Sequence, residues 1–295
     1  MKFGLISINT GFRTGEGVIK FAQHAEAVGI ESIWTFEHTI IPLEYESKYP
    51  YSEDGKMGGT PDINIVDPLI SLAAAAAATK TIRLGTGVNV LPQVNPVYLA
   101  KQAASIDFMS NGRLMLGLGL GWLKEEFEVL GVPWARRGAR FDDYVVAMRK
   151  MWAGDVVEHQ SDFISWSGFQ SYPVPLQKAG VPPQDSSIPI IVGGDKGKVF
   201  RRVARLADGW YPATVVPEYL EPLIPQFEEA CSEEGRDPES IEITSMWIPA
   251  MTGPDAIKKY EDLGVSRLVV PTQALEGSTS AEKVDRFVDA FMSNA

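Results

Sequence analysis

Apolar and polar positions along this chain fall into one unit that recurs five times: a helical run, a polar or glycine turn, then a short apolar strand. The unit reads FAQHAEAVGIESIWTF (21–36), LISLAAAAAATKTIRLGTGV (69–88), AKQAASIDFMSNGRLMLGLG (100–119), FRRVARLADGWYP (200–212) and AIKKYEDLGVSRLVVP (256–271). Helix alternating with strand predicts a parallel sheet, because neighbouring parallel strands need long crossovers. The strands ESIWTF, IRLGTGV, IPIIVGG and RLVVP lack period-2 alternation, as strands covered on both faces do. Closed on itself, such a sheet is a (β/α)8 TIM barrel, whose chemistry sits in the loops that follow the strands.

Eight strands are expected: KFGLISI (2–8), SIWTF (32–36), IRLGTGVNV (82–90), RLMLGLGLG (113–121), IPIIVGG (188–194), DGWYP (208–212), IEITSMWI (241–248) and SRLVVP (266–271). Helix ends are marked by Gly29 as a stop, by Asp67 and Asn95 as N-caps before Pro68 and Pro96, and by a capping box of Thr279 with Glu282. A core stripe in FDDYVVAMRKMW runs through Phe141, Val145, Met148 and Trp152. Two insertions interrupt the barrel pattern. The 41–65 region after strand 2 has no periodicity, three tyrosines (Tyr45, Tyr49, Tyr51) and a GKMGG tract, which predicts a lid over an active site. The 155–187 region between the FDDYVVAMRKMW helix and strand 5 predicts a small hairpin (VVEH, FISW) and a Pro-rich loop. Residues 1–295 read as one domain with these insertions.

Composition narrows the class. A net charge of −11 disfavours nucleic acid as the main partner. The single Cys231 excludes an internal disulfide and points to a reducing compartment. No apolar run approaches a membrane span, and MKFGLISINT lacks the layout of a signal peptide, so a cytoplasmic protein acting on small molecules is expected.

Four places carry candidate chemistry. Glu37 and His38 end strand 2, at the mouth of a barrel; His38 is either an acid, base or ring partner there, or a pin for the long loop. With His24 on a helix and His159 in an insertion, no ligand spacing for a metal emerges. Hydrolase signatures are likewise missing: there is no Gly-x-Ser-x-Gly elbow. In GLGLGW (117–122) the glycines alternate, which is the wrong spacing for a dinucleotide fingerprint. They clear one strand face instead, either for a flat ring or for tight barrel packing. IIVGGDKGKVFRR (190–202) ends a strand in two glycines ahead of a helix start. It adds Lys196, Lys198, Arg201 and Arg202, a setting for a phosphate-bearing ligand. In WLKEEFEVLGVPWARRGARFDDY (122–144), Arg136, Arg137 and Arg140 either reach the mouth or form salt bridges with Glu125, Glu126 and Asp142.

Taken in order, Trp34-x-x-Glu37-His38, Leu84-Gly85-Thr86-Gly87-Val88, NPVYLAKQAASIDFMSNGRLMLGLGLGW, EEFEVLGVPWARRGARFDDY and VGGDKGKVFRRVARLADGW resemble the bacterial luciferase-like family of flavin and deazaflavin oxidoreductases. The resemblance spans nearly the whole chain and is greatest to the subgroup assigned to coenzyme F420. It implies a ring in the barrel mouth, backed by a non-prolyl cis peptide near Val88–Asn89 and held by Gly121 and Trp122. It further implies a phosphate beside the loop after strand 5, at Val192, Gly193, Gly194, Lys196, Gly197 and Lys198. His38 would face the ring as proton donor or orienting group, with Glu37 as its neighbour. The implied activity is hydride transfer between F420 and an organic substrate. Two further readings stand beside it: a flavin mononucleotide (FMN) monooxygenase served by a reductase partner, and a non-catalytic cofactor-binding protein. A homodimer through helices beside strands 2 to 4 is also implied. One departure stands out: the family's deazaflavin-dependent sugar-phosphate dehydrogenases carry an acidic catalytic residue where this chain has Trp122. A more apolar mouth and a flat or hydrophobic substrate follow from that exchange.

Overall fold

The structure is a computed structural model that describes residues 1–52, 54–58, 60–177 and 187–292. Most of the Pro-rich part of the second insertion, and Gly59 of the GKMGG tract, lie outside the described residues. The barrel strands are β1 (Lys2–Ile6), β2 (Ser32–Thr35), β3 (Arg83–Thr86), β4 (Leu114–Gly119), β5 (Ile190–Gly193), β6 (Gly209–Tyr211), β7 (Glu242–Met246) and β8 (Val265–Pro271). Every neighbouring pair is parallel. The sheet closes where β8 pairs with β1 (Lys2 opposite Arg267) and β3 with β4 (Leu84 opposite Leu114), giving the expected (β/α)8 barrel.

The helices that position the mouth are α1 (Gly15–Ala27), α2 (Pro68–Ala78), α3 (Pro96–Met109), α4 (Lys124–Val129), α5 (Arg137–Trp152) and α6 (Val199–Leu206). Their starts follow the capping chemistry of the sequence: Asp67 accepts the Ile70 amide and Asn95 the Val97 amide, each cap contributing about 1 kcal/mol. At the last helix, Thr279 accepts the Glu282 amide, but the Glu282 carboxylate takes the amide and hydroxyl of Ser278, so the box closes one residue early. The end of α2 is held by a buried arginine: Arg113 donates to the carbonyls of Ala76, Thr79 and Ile82. The Ala76 and Thr79 carbonyls lie at the helix end, where no intrahelical amide reaches them, so a side chain satisfies them.

Both faces of the strands are covered, and residues alternate in direction rather than polarity. Leu5, Ile33, Leu116, Val192, Trp210 and Leu268 pack outward into the layer shared with the helices. Ile6, Trp34, Met115, Ile191, Tyr211 and Val269 form a separate cluster inside the barrel. Trp34 fills the axis because its neighbours give way: a Cβ on Gly85 would lie 2.4 Å from the Trp34 ring. Below it, Arg267 is 1% exposed and ion-paired to Glu31 and Glu242, closing the end opposite the active mouth.

Strand 3 is shorter than its sequence implies. It stops at Thr86, a non-prolyl cis peptide joins Gly87 to Val88, and Asn89–Val90 then pair with Leu118 and Gly119. The cis bond is therefore one position earlier than the Val88–Asn89 expectation. In the second insertion, Val157–Gln160 and Ser165–Phe169 form the expected antiparallel hairpin. Phe141, Val145, Met148 and Trp152 of α5 are all buried.

Candidate active site

The site begins where β2 ends. Asn9, in the loop after β1, accepts the Phe36 amide and donates to the carbonyls of Phe36 and Val66, fixing the chain just before Glu37 and His38. The two residues then part. Glu37 accepts the amide of Val90, tying the end of β2 to the bulge after β3. Burial raises its carboxyl to about 7, against the lowering effect of the Val90 and Asn89 hydrogen bonds, with Glu126 and Asp67 adding like-charge repulsion. Glu37, expected as His38's neighbour at the mouth, thus bonds to the bulge after β3.

His38 meets Glu126 instead: its Nδ1 is 3.4 Å from Glu126 Oε2, with the two side chains 8% and 2% exposed. Glu126 also accepts the amides of Thr39 (2.6 Å) and Ile40 (3.2 Å) and the side-chain amide of Gln93 (3.2 Å). Burial pushes this carboxyl up, but His38, the Ile40 amide and Gln93 outweigh it and hold Glu126 below the usual range. Neither Glu125 nor Glu126 pairs with the arginines of the 122–144 segment. Glu125 accepts the amides of Glu46 and Ser47. Arg136 pairs with Asp162, Arg137 lies over the Trp134 ring, and Asp142 is taken by Arg202.

Trp122 forms the other wall. His38 meets it edge to face at a centroid distance of 5.9 Å, as do Tyr45 (5.6 Å) and Tyr49 (5.1 Å) of the first insertion. Tyr51 continues the cluster 5.3 Å from Tyr49. The insertion is tied down beside Trp122: the Lys124 amide donates to Ser47, and Glu125 holds the two amides named above. The lid expected from the tyrosines is thus a loop folded onto the rim after β2 and β4.

The alternating glycines admit the protein's own chain, backbone at Gly117 and the Val88 side chain at Gly119. A Cβ on Gly117 would lie 1.8 Å from the Thr86 carbonyl oxygen; on Gly119 it would lie 2.5 Å from Val88 and on Gly193 2.9 Å from Val88. The cleared face receives the Gly87–Val88 bulge, and Val88, partly exposed, stands at the mouth in that space. Gly121 forms the turn leading to Trp122, with φ +75° and Val90 and Phe127 against it. Beside the bulge, two buried polar atoms have no hydrogen-bond partner: Asn89 Oδ1 and the Tyr211 hydroxyl. Burial, with Tyr51 and Tyr49 nearby, holds the Tyr211 phenol strongly protonated.

The loop after β5 divides its charges. Arg201 is paired with Glu234 and Arg202 with Asp142, whereas Lys196 and Lys198 are exposed and have no ion-pair partner among the described residues. The Gly194 amide is bonded to the Tyr211 carbonyl, which removes it from any anion site, and the Gly194 carbonyl accepts from Trp210. Val192 is buried in the outer layer, so its side chain faces the helices and not the mouth. What this loop offers an anion is the start of α6 at Val199, with Gly197 and the two lysines ahead of it.

A ring with polar edges fits this mouth: a partly exposed aliphatic floor at Val88, orphaned polar atoms at Asn89 and Tyr211, aromatic walls, and unpaired lysines at the rim. Sequence reasoning found the strands but missed Glu126 and Tyr211. Nothing in EEF distinguishes the glutamate that turns inward. The inward direction of Tyr211 follows only once the register of β6 is known.

Comparison with known proteins agrees with this architecture. An uncharacterized protein of Mycobacterium tuberculosis is 28% identical over 291 residues, 97% of either chain. The coenzyme F420 dependent tetrahydromethanopterin reductase of Methanopyrus kandleri has the same fold, with a TM-score of 0.78 at 16% identity over 99% of each chain. Monooxygenase RslO1 of Streptomyces bottropensis gives 0.73 at 21% identity, covering 100% of this chain and 99% of that one. Residues 1–266 match the family described as luciferase-like monooxygenase, and the chain belongs to that family.

Proposed function

We propose that this protein is an F420-dependent oxidoreductase that moves a hydride between the deazaflavin and an apolar organic substrate. The observation that carries the reading is the meeting of His38 and Trp122 on the same rim as the Val88 bulge and the lysine-bearing start of α6. When bound, the deazaflavin supplies the two-electron chemistry. The protein supplies the rest. Val88 backs the ring, the Tyr211 hydroxyl and Asn89 hydrogen-bond its polar edge, and Lys196, Lys198 and Gly197 hold the phosphate and the anionic tail. His38 moves a proton to or from the substrate through Nε2, the nitrogen turned away from Glu126. Trp122, Tyr45 and Tyr49 keep water from the reacting atoms and favour flat or hydrophobic substrates over sugar phosphates.

One feature supports F420 over FMN: Lys196 and Lys198, which have no ion-pair partner among the described residues, suit a long polyanionic tail. The family description favours the competing reading, an FMN monooxygenase fed by a reductase. Cys231, buried and unpaired, suits a cytoplasmic location. Exposed Ile70, Tyr98, Phe108 and Met109 on α2 and α3 suit a homodimer beside strands 2 to 4. The test is anaerobic mixing of protein and reduced F420 with a panel of ketones, enones and quinones, following the cofactor's absorbance. Reoxidation with at least one acceptor, absent in a His38→Ala control, supports the reading. Reoxidation only when oxygen is admitted and FMN replaces F420 overturns it.

A further inference from the structure

We propose that Glu126 is a positioning residue for His38, holding the imidazole with its proton on Nδ1 so that Nε2 presents a lone pair to the mouth. A carboxylate 2% exposed needs donors on both oxygens to remain ionised. Oε1 has two, the Thr39 and Ile40 amides. Oε2 has the Gln93 amide at 3.2 Å and, on its remaining side, His38 Nδ1 at 3.4 Å. Nδ1 is buried and, at 3.4 Å from Oε2, stops short of a formed hydrogen bond; the carboxylate is the acceptor beside it, on which an Nδ1 proton would close with a small turn of the ring. His38 Nδ1 is also the basic side-chain nitrogen within 4 Å of the Glu126 carboxylate.

The same carboxylate also fixes the backbone that follows His38. Thr39 and Ile40 follow His38 directly, so Glu126 sets both the ring's tautomer and the position of the chain that carries it. A neutral ring protonated on Nδ1 accepts a proton at Nε2; the opposite tautomer presents an N–H there and cannot. Glu126 therefore determines whether His38 can act as a base at the mouth. The catalytic consequence rests on the proposed role of His38; the tautomer itself does not.

The experiment reads ring-nitrogen NMR shifts of histidine-labelled protein without cofactor or substrate, at a pH where the rings are neutral. The chain has three histidines, His24, His38 and His159, so a His38→Asn sample identifies the signal by subtraction. In the parent protein the Nδ1-protonated form should predominate at His38. Glu126→Gln should reverse it: Gln keeps an oxygen for the Thr39 and Ile40 amides and turns its NH2 toward Nδ1, which then becomes the acceptor. An Nε2-protonated majority in the parent protein, or no change in Glu126→Gln, overturns the proposal. The first of these does not depend on Glu126→Gln, so poor folding of that variant does not shield it. With an F420 substrate pair in hand, Glu126→Gln should lower kcat about tenfold, the effect of one hydrogen bond to a charged group, with the KM for cofactor unchanged. A change in KM alone overturns the catalytic part while leaving the tautomer result, and absence of any F420 reaction bears only on the function.

Discussion

Glu37 accepts the amide of Val90 and turns away from His38, its neighbour in the chain. One buried carboxyl thereby joins the end of β2 to the bulge at the barrel mouth. Burial raises its pKa from 4.5 to about 7. Between these values the folded state keeps a proton that the unfolded chain has lost. Stability from this group therefore falls as pH rises from about 4.5 to about 7 and is level above, a difference of about 3 kcal/mol. Glu37→Gln keeps the acceptor oxygen and removes the titration. Its melting temperature should match the parent's near pH 4.5 and exceed it by roughly 5 °C at pH 8. Equal differences at both pH values would show that Glu37 does not titrate in this window.

His38→Asn should lower turnover by about 10²–10⁴, the range for losing a positioned acid or base. Cofactor affinity should stay within about twofold, because the lysines and the α6 start are untouched. Steady-state rates and a binding titration on the same preparation check this; a loss of binding that matches the loss of rate would make His38 a binding group only.

Replacing both Lys196 and Lys198 by Ala should weaken cofactor binding about tenfold at low salt, with the deficit shrinking as salt rises. Both side chains are exposed, which keeps each contribution small. Titrations at two ionic strengths decide it, and an affinity that does not respond to the double substitution would place the anionic end elsewhere.

Gly117→Ala should cost at least about 3 kcal/mol, because its methyl would lie 1.8 Å from the Thr86 carbonyl, an atom held by β3. Gly131→Ala, with nothing within 4 Å but φ +67°, should cost about 1 kcal/mol. Urea denaturation of the two variants orders them, and comparable losses would mean that the bulge yields easily.

The barrel was legible because its evidence is local. Runs such as AIKKYEDLGVSRLVVP carry helix, stop and strand together, and Asp67-Pro68 and Asn95-Pro96 state helix starts outright. The mouth was legible only in its addresses. His38, Trp122 and Lys196 sit at strand ends, where barrel geometry places chemistry, but which side chains meet depends on approach between distant segments. Glu126 and His38 are 88 positions apart, and the charge pattern around Glu126 pointed to Arg136 and Arg137 nearby. The glycines of β4 were read as room either for a flat ring or for tight packing, and Val88 and the Thr86 carbonyl take much of that room. The cis bond joins Gly87 to Val88, one residue before the position the family resemblance implied.

The central claim is the cofactor, and its most direct measurement is a parallel titration with F420 and FMN, following tryptophan fluorescence, with Trp122→Phe as the control for signal from the mouth. Micromolar binding of F420, FMN at least about a hundredfold weaker, and a quench largely lost in Trp122→Phe is the predicted result. Tighter binding of FMN than of F420 would contradict the account and make the monooxygenase reading the one to pursue.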